Sequence, residues 1–148
     1  MRIIAGAAGG RPVTAPPAGT RPTTDRVRES VFAMLEARRD LDGVRVLDLY
    51  AGSGALALEA ISRGAGHATL VDSDARAVAV IRANARSVGV GPGVVTVVRR
   101  TVDAFLQAPP TDRFDLVFCD PPYDLPADVV DDHAARLATN GWLAPRAT

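Results

Sequence analysis

From Val44 onward, short apolar runs rich in β-branched residues alternate with helical periods, and this alternation constrains the fold more than any other feature. Val44–Leu49, Ala68–Val71, Val94–Val98 and Phe114–Cys119 read as strands. Ala55–Arg63, Ala75–Ser87, 102–107 and 126–138 read as helices, with Gly64 stopping the first and Asp74 capping the second. Strands separated by helices imply parallel pairing through right-handed crossovers. The expected fold class is therefore α/β, a mostly parallel Rossmann-like sheet with helices on both faces. Ligands of such sheets bind beyond the C-terminal strand ends, where the strand order reverses. The chemistry is expected just after residues 49, 71, 98 and 119.

Two segments precede this rhythm. Residues 1–22 read as a hairpin around the Gly6–Gly10 loop, followed by a connector broken by Pro16, Pro17, Gly19 and Pro22. Residues 23–148 read as one further domain. A helix opens at Thr24 or Asp25, its apolar stripe drawn as Val27, Val31, Met34 and Leu35, with Arg26, Arg28, Arg38 and Arg39 off it. The 148 residues, 47% hydrophobic and 23% charged, suit one folded unit and exclude a disordered chain. No apolar run reaches the roughly 20 residues of a membrane span, and the N-terminus shows no signal-peptide pattern. The single Cys119 excludes an internal disulfide and fits a reducing cytoplasm. Zero net charge conceals an asymmetry. Residues 1–45 carry eight arginines against five acids, 46–100 six against four, and 101–148 three against eight. A basic front half suits either a polyanion or ordinary solvated helix faces.

At the first strand end stands Asp48-Leu-Tyr-Ala-Gly52-Ser-Gly54-Ala-Leu-Ala57. Its glycines permit a tight turn and close approach of a ligand to bare backbone. Asp72 follows Gly52 by 20 residues, at the second strand end, where a carboxylate can accept from a ribose diol. Gly-x-Gly-x-x-Ala also fits a nicotinamide dinucleotide. Asp48 separates the two, because a carboxylate beside the turn repels a pyrophosphate and suits a cationic sulfonium carrying an ammonium group, as in S-adenosylmethionine. At the fourth strand end stands Asp120-Pro121-Pro122-Tyr123. Proline cannot donate to a sheet and stiffens the residue before it. Asp120 and the Pro121 carbonyl thus become two fixed acceptors for an exocyclic –NH₂, with Tyr123 offering a stacking face worth roughly 1–3 kcal/mol.

These residues resemble a Class I S-adenosylmethionine-dependent methyltransferase of the amino-methylating kind. More closely, the chain resembles the bacterial 16S ribosomal RNA guanine-N2 methyltransferase family, RsmD. The resemblance rests on Arg2-Ile-Ile-Ala-Gly…Gly10-Arg11, Arg21-Pro-Thr-Thr-Asp-Arg-Val-Arg-Glu29, the turn from Asp48 to Glu59, and Asp120–Tyr123, and it spans essentially the whole chain. It implies that Asp48, Gly52 and Gly54 line the methionine end of S-adenosylmethionine, that Asp72 holds the ribose, and that Thr101 and Val102 flank the adenine. The family pattern favours Asp or Asn followed by a small residue at that last place, so Thr101-Val102 is a departure. The resemblance further implies that Asp120, Pro121 and Tyr123 hold the target guanine. Arg2, Arg11, Arg21, Thr23, Thr24, Arg26 and Arg28 would face 16S rRNA, in an assembled or assembling 30S subunit. The family continues past Gly141-Trp142-Leu143 with three further strands. Their lack here would leave the fourth strand with an exposed edge.

The other reactive residues read blandly. Cys119 is expected as a buried small apolar side chain, His67 and His133 as isolated and without metal, Glu59 as a solvated or capping charge, Asn84 as solvent-facing, and Trp142 as packed on the sheet. Rival functions are methylation of adenine N6 in DNA or of a protein glutamine, a non-catalytic cofactor- or RNA-binding module, and a nicotinamide reductase, the last disfavoured by Asp48.

Overall fold

The computed structural model describes residues 1–15, 24–122 and 124–148. The connector prolines, Arg21, Thr23 and Tyr123 lie outside the described residues. The elements run α1 (Asp25–Arg38), β1 (Arg45–Leu49), α2 (Ala55–Ser62), β2 (His67–Asp72), α3 (Ala75–Ser87), β3 (Val95–Arg99), α4 (Val102–Gln107), β4 (Leu116–Cys119) and α5 (Ala127–Thr139). The four strands form one sheet in the order β3-β2-β1-β4, every pair parallel. The order reverses between β1 and β4. This is the Rossmann-like α/β arrangement that the alternation predicts.

Alternation of side chains along each strand divides the interior in two. Val46, Ala68, Leu70, Leu116 and Phe118 pack with Phe32 and Leu35 of α1, Leu58 of α2 and Ile81 of α3. Leu47, Leu49 and Val71 face the other way, onto Val102, Phe105 and Leu106 of α4, Leu137 of α5 and Trp142. Trp142 lies with its ring centroid 4.9 Å from that of Phe105 and 6.5 Å from that of Phe114, packed on the sheet as expected.

Local signals set the helix starts. Thr24 Oγ1 accepts the Val27 amide at 3.2 Å, and Asp74 Oδ1 accepts that of Arg76 at 2.9 Å. The face of α1 differs from the expected stripe. Val27 and Met34 are half exposed, at 51% and 50%, while Arg28, Phe32 and Leu35 are buried. Phe32 is the largest apolar side chain of the helix, and turning it inward carries Val27 and Met34 out and Arg28 in. The Arg28 guanidinium bonds to Asp25 at 2.8 Å and to the Arg2 carbonyl, and Nη1 reaches Met1 Sδ at 3.5 Å.

The predicted N-terminal hairpin is present. Arg2 and Pro12 form an antiparallel bridge, and the amides of Ile3, Gly10 and Val13 donate to the carbonyls of Arg11, Ile3 and Met1. Gly6 has φ 85°, and a Cβ there would sit 1.9 Å from the Ser62 carbonyl oxygen. Glu59 accounts for this close docking and corrects the solvated reading. It is fully buried on α2, accepts the Ile4 and Ala5 amides at 2.8 and 3.1 Å, and pairs with Arg63 Nε at 2.9 Å. Glu59→Ala would strand two amides and the Nε–H of Arg63, whose Nη1 stays paired with Glu36. The expected loss is about 3 kcal/mol of stability, read as an earlier urea midpoint; an unchanged midpoint would show the carboxylate is dispensable.

The edge of β4 is also not bare. Phe114 and Leu143 form a parallel bridge. Phe114 and Val117 donate to the carbonyls of Trp142 and Thr148 at 2.8 Å, and Thr148 donates to Asp115 at 2.8 Å. Residues 142–148 thus cover the start of the expected exposed edge, from Phe114 as far as Val117, because the chain turns back beside β4 after α5, while the tip at Cys119 stays exposed.

Candidate active site

Parallel register and a period of two bring three carboxylates together. Asp48 stands opposite Leu70 on β2 and Phe118 on β4. Asp72 and Asp120 each lie two residues beyond those partners. Asp48, Asp72 and Asp120 therefore project from the same sheet face at three adjacent strand ends, around the point where the strand order reverses.

Asp48 is the centre of the group. It is 2% exposed, and the Ala57 amide in the first turn of α2 donates to it. Its Oδ2 is buried and has no hydrogen-bond partner among the described residues. Burial pushes its pKa up to about 8, the charges of Asp120 and Asp72 push the same way, and the Ala57 amide opposes them. A buried carboxylate with one orphaned oxygen and two acidic neighbours is a receptor for a cation and a poor neighbour for phosphate.

The turn after β1 is held in an unusual shape. Tyr50, Gly52 and Gly54 all have positive φ, at 60°, 62° and 79°. Gly54 also caps α2, and a Cβ on it would meet Leu70 Cδ2 at 3.0 Å. The Gly52 amide donates to Asp72 Oδ2 at 2.9 Å and the Asp74 amide to Oδ1 at 3.0 Å. Each oxygen keeps a lone pair, so the backbone fixes the carboxylate while leaving it able to accept from a diol.

Sequence reasoning misses Asn84, and the structure corrects the solvent-facing expectation. Buried on α3, its amide nitrogen donates to the carbonyls of Ser53 at 2.9 Å and Thr14 at 3.0 Å, and its oxygen accepts the Thr14 amide at 2.8 Å. It ties the glycine turn to the N-terminal segment. An Asn inside an amphipathic helix is the available signal, but only tertiary contacts reveal its partners.

The remaining predicted residues fall as follows. Thr101 is exposed and caps α4, accepting the Ala104 amide at 3.1 Å, while the Val102 side chain is buried in the core beneath α4. Asp120 is exposed beside the turn and Pro121 is half-buried. Cys119 is exposed at the strand tip, which corrects the buried reading. Desolvation and the Asp48 and Asp120 charges raise its pKa, keeping the thiol protonated. Arg2, Arg11, Thr24 and Arg26 are exposed. Arg28 is fully buried and cannot reach a phosphate, a correction that follows from its pairing with Asp25 and the hairpin carbonyl. His133 is not isolated but bonded to Tyr50.

With this geometry in view, the chain can be set beside known proteins. The family model described as "Conserved hypothetical protein 95" matches residues 1–148. The chain belongs to that family, the RsmD family. A curated relative, "Ribosomal RNA small subunit methyltransferase D" of Escherichia coli, is 38% identical over 148 residues, covering 99% of this chain and 71% of that protein. A solved structure described as "Putative methyltransferase yhhF from Escherichia coli" superposes with a TM-score of 0.82 at 36% identity, covering 97% of this chain and 75% of that one. A hypothetical protein of Thermus thermophilus, TTHA0928, superposes at 0.81 with 34% identity, covering 97% and 80%. The family match takes in Asp48, Gly52, Gly54, Asp72 and Asp120, the residues the fold gathers at the strand ends.

Proposed function

We propose that the chain is an S-adenosylmethionine-dependent methyltransferase acting on the N2 amine of a guanine in 16S rRNA. The observation that carries the reading is the orphaned, buried Asp48 Oδ2 flanked by Asp72 and Asp120. That donor-poor, acidic hollow fits a cationic cofactor and argues against a pyrophosphate. Family membership and the name of the Escherichia coli relative support ribosomal RNA as the substrate class.

The residues present fit the cofactor. S-adenosylmethionine, when bound, supplies a methyl group on a positively charged sulfur. Asp48 would hold the positively charged methionine end, Gly52 and Gly54 would let it lie against backbone, and Asp72 would accept from the ribose hydroxyls. Thr101 and Val102, just after β3, would flank the adenine, Val102 through its backbone because its side chain is buried. On the acceptor side, Asp120 and the Pro121 carbonyl would accept from the two N–H groups of the guanine amine. That draws its lone pair out of conjugation with the ring, and Asp120 meets the positive charge that develops on nitrogen. Most of the acceleration would be positioning and electrostatics; the nitrogen would take the methyl as the bond from that methyl to sulfur breaks, and its proton would then pass to water. Tyr123 would stack on the base. Arg2, Arg11 and Arg26, with Arg21, Thr23 and Thr24, would approach the phosphates. So small a basic surface suits an assembled or assembling 30S subunit better than bare RNA.

The test is methyl transfer from labelled S-adenosylmethionine to small subunits lacking the modification, followed by nucleoside mass spectrometry. N2-methylguanosine is the expected product. Methylation of duplex DNA oligonucleotides but not of the subunits, or methyl incorporated into protein, would replace this reading with one of its rivals.

A further inference from the structure

Tyr50 is the one residue other than glycine in the turn after β1 with positive φ. A left-handed aromatic residue costs roughly 1–2 kcal/mol and persists only where its surroundings hold it. Its hydroxyl lies 2.8 Å from Nε2 of His133, and the two rings are 5.9 Å apart at 41°. His133 is 1% exposed on α5. Its other nitrogen, Nδ1, makes no hydrogen bond among the described residues and lies 3.6 Å from Asp103 Oδ1. A proton on Nδ1, the nitrogen that faces this carboxylate, would leave Nε2 to accept from the tyrosine hydroxyl. Asp103, Asp132 and His133 place three potential ligand atoms within 4.8 Å of one another. Arg136 already supplies a cation there, 2.9 Å from Asp132 Oδ2 and 3.9 Å from Asp103 Oδ1. The cluster therefore works through Tyr50 and needs no metal.

We infer that His133 is a positioning residue for the cofactor turn, holding Tyr50 in its left-handed conformation so that the Gly52 amide stays aimed at Asp72. Residue 50 lies midway between Asp48 and Gly52, so relaxation of its φ would swing Ala51 and Gly52 directly. The strut also joins three strand ends: Tyr50 follows β1, Asp103 opens α4 after β3, and His133 sits on α5, the helix after the Asp120 turn. The expected effect on affinity rests on the reading of the site as one for S-adenosylmethionine; the effect on the turn itself does not.

The test uses the full chain with Tyr50→Phe, His133→Leu, His133→Gln and the double variant Tyr50→Phe/His133→Leu. Two quantities are read: hydrogen exchange of the Gly52 amide without ligand, and S-adenosylmethionine affinity by calorimetry. Tyr50→Phe and His133→Leu should each speed exchange and weaken affinity by up to ~10-fold, the worth of one hydrogen bond. The double variant should lose no more than either single one. His133→Gln, whose amide can still accept, should stay within about twofold of the parent, as should kcat at saturating cofactor for every variant. Parent-like exchange in Tyr50→Phe would overturn the proposal, whether or not His133→Leu folds, and so would losses that multiply in the double variant. If the parent binds no S-adenosylmethionine while exchange responds as stated, the cofactor assignment falls and the strut stands.

Discussion

Asp48→Asn should make the protein more stable and unable to hold its cofactor. The carboxyl ordinarily titrates near 3.8 and here near 8. Below pH 3.8 it is protonated in both folded and unfolded chains and contributes nothing to the difference between them. Between pH 4 and 8 the unfolded chain releases the proton and the folded chain retains it, so stability falls as pH rises, by up to about 1.4 kcal/mol per unit. At pH 7 this penalty is about 4 kcal/mol. Asparagine removes it while its oxygen still accepts the Ala57 amide, and its own unpaired N–H groups give back about 1 kcal/mol. The net gain at pH 7 is about 3 kcal/mol, and the melting temperature should rise by roughly 6–12 °C. The gap between variant and parent should widen from pH 5 to pH 8 and then level off. A gap that does not change with pH would show that Asp48 is not the strained group. S-adenosylmethionine affinity should move the opposite way, falling about 100-fold as a charge-assisted contact is lost. Binding to the parent at pH 7 should also release a proton, seen as a heat that depends on the buffer, and the variant should lose that release. Stability and function are set against each other at one oxygen atom.

Asp120→Ala should abolish turnover while leaving cofactor affinity within about threefold. Asp120 is exposed at the rim, whereas Asp48 is sealed beneath the turn. Its charge is needed when nitrogen becomes positive, a demand present only as the bond forms. Removing one such group costs roughly 10²–10³ in kcat. Asp120→Asn can still accept one N–H bond but carries no charge, so its loss should be smaller, about tenfold to a hundredfold. Equal losses in the two variants would mean that the charge matters and the neutral acceptor does not. Near-normal turnover in Asp120→Ala would remove the residue from the mechanism.

The elements are legible in the sequence because their signals are local. The bounds of α3 match the expectation because Asp74 caps it and a glycine cluster follows. The three carboxylates are legible for a similar reason: each lies at a strand end, and parallel pairing does the rest. Polar residues with distant partners are not. Glu59 meets Ile4 across 55 positions and Asn84 meets Thr14 across 70, and no period or spacing encodes those meetings. Arg28 is misplaced by a stripe drawn through Val27 and Met34, which ignores the size of Phe32. His133 looks isolated along the chain because its partners are distant in sequence, Tyr50 in the turn after β1 and Asp103 in the first turn of α4.

The docking of the hairpin has a consequence for the order in which the chain becomes structured. Residues 1–14 leave the ribosome before the side-chain anchors that hold them: Asp25 and Arg28, then Glu59 and Ser62, then Asn84. The hairpin alone is too small to persist in water. It must wait, open, until α3 has emerged, and then close loops of 54 to 70 residues. Asn84 also grips Ser53, so the glycine turn takes its final shape in the same late event. An early-made segment is thus among the last to settle, and an intact glycine turn reports that the hairpin has docked.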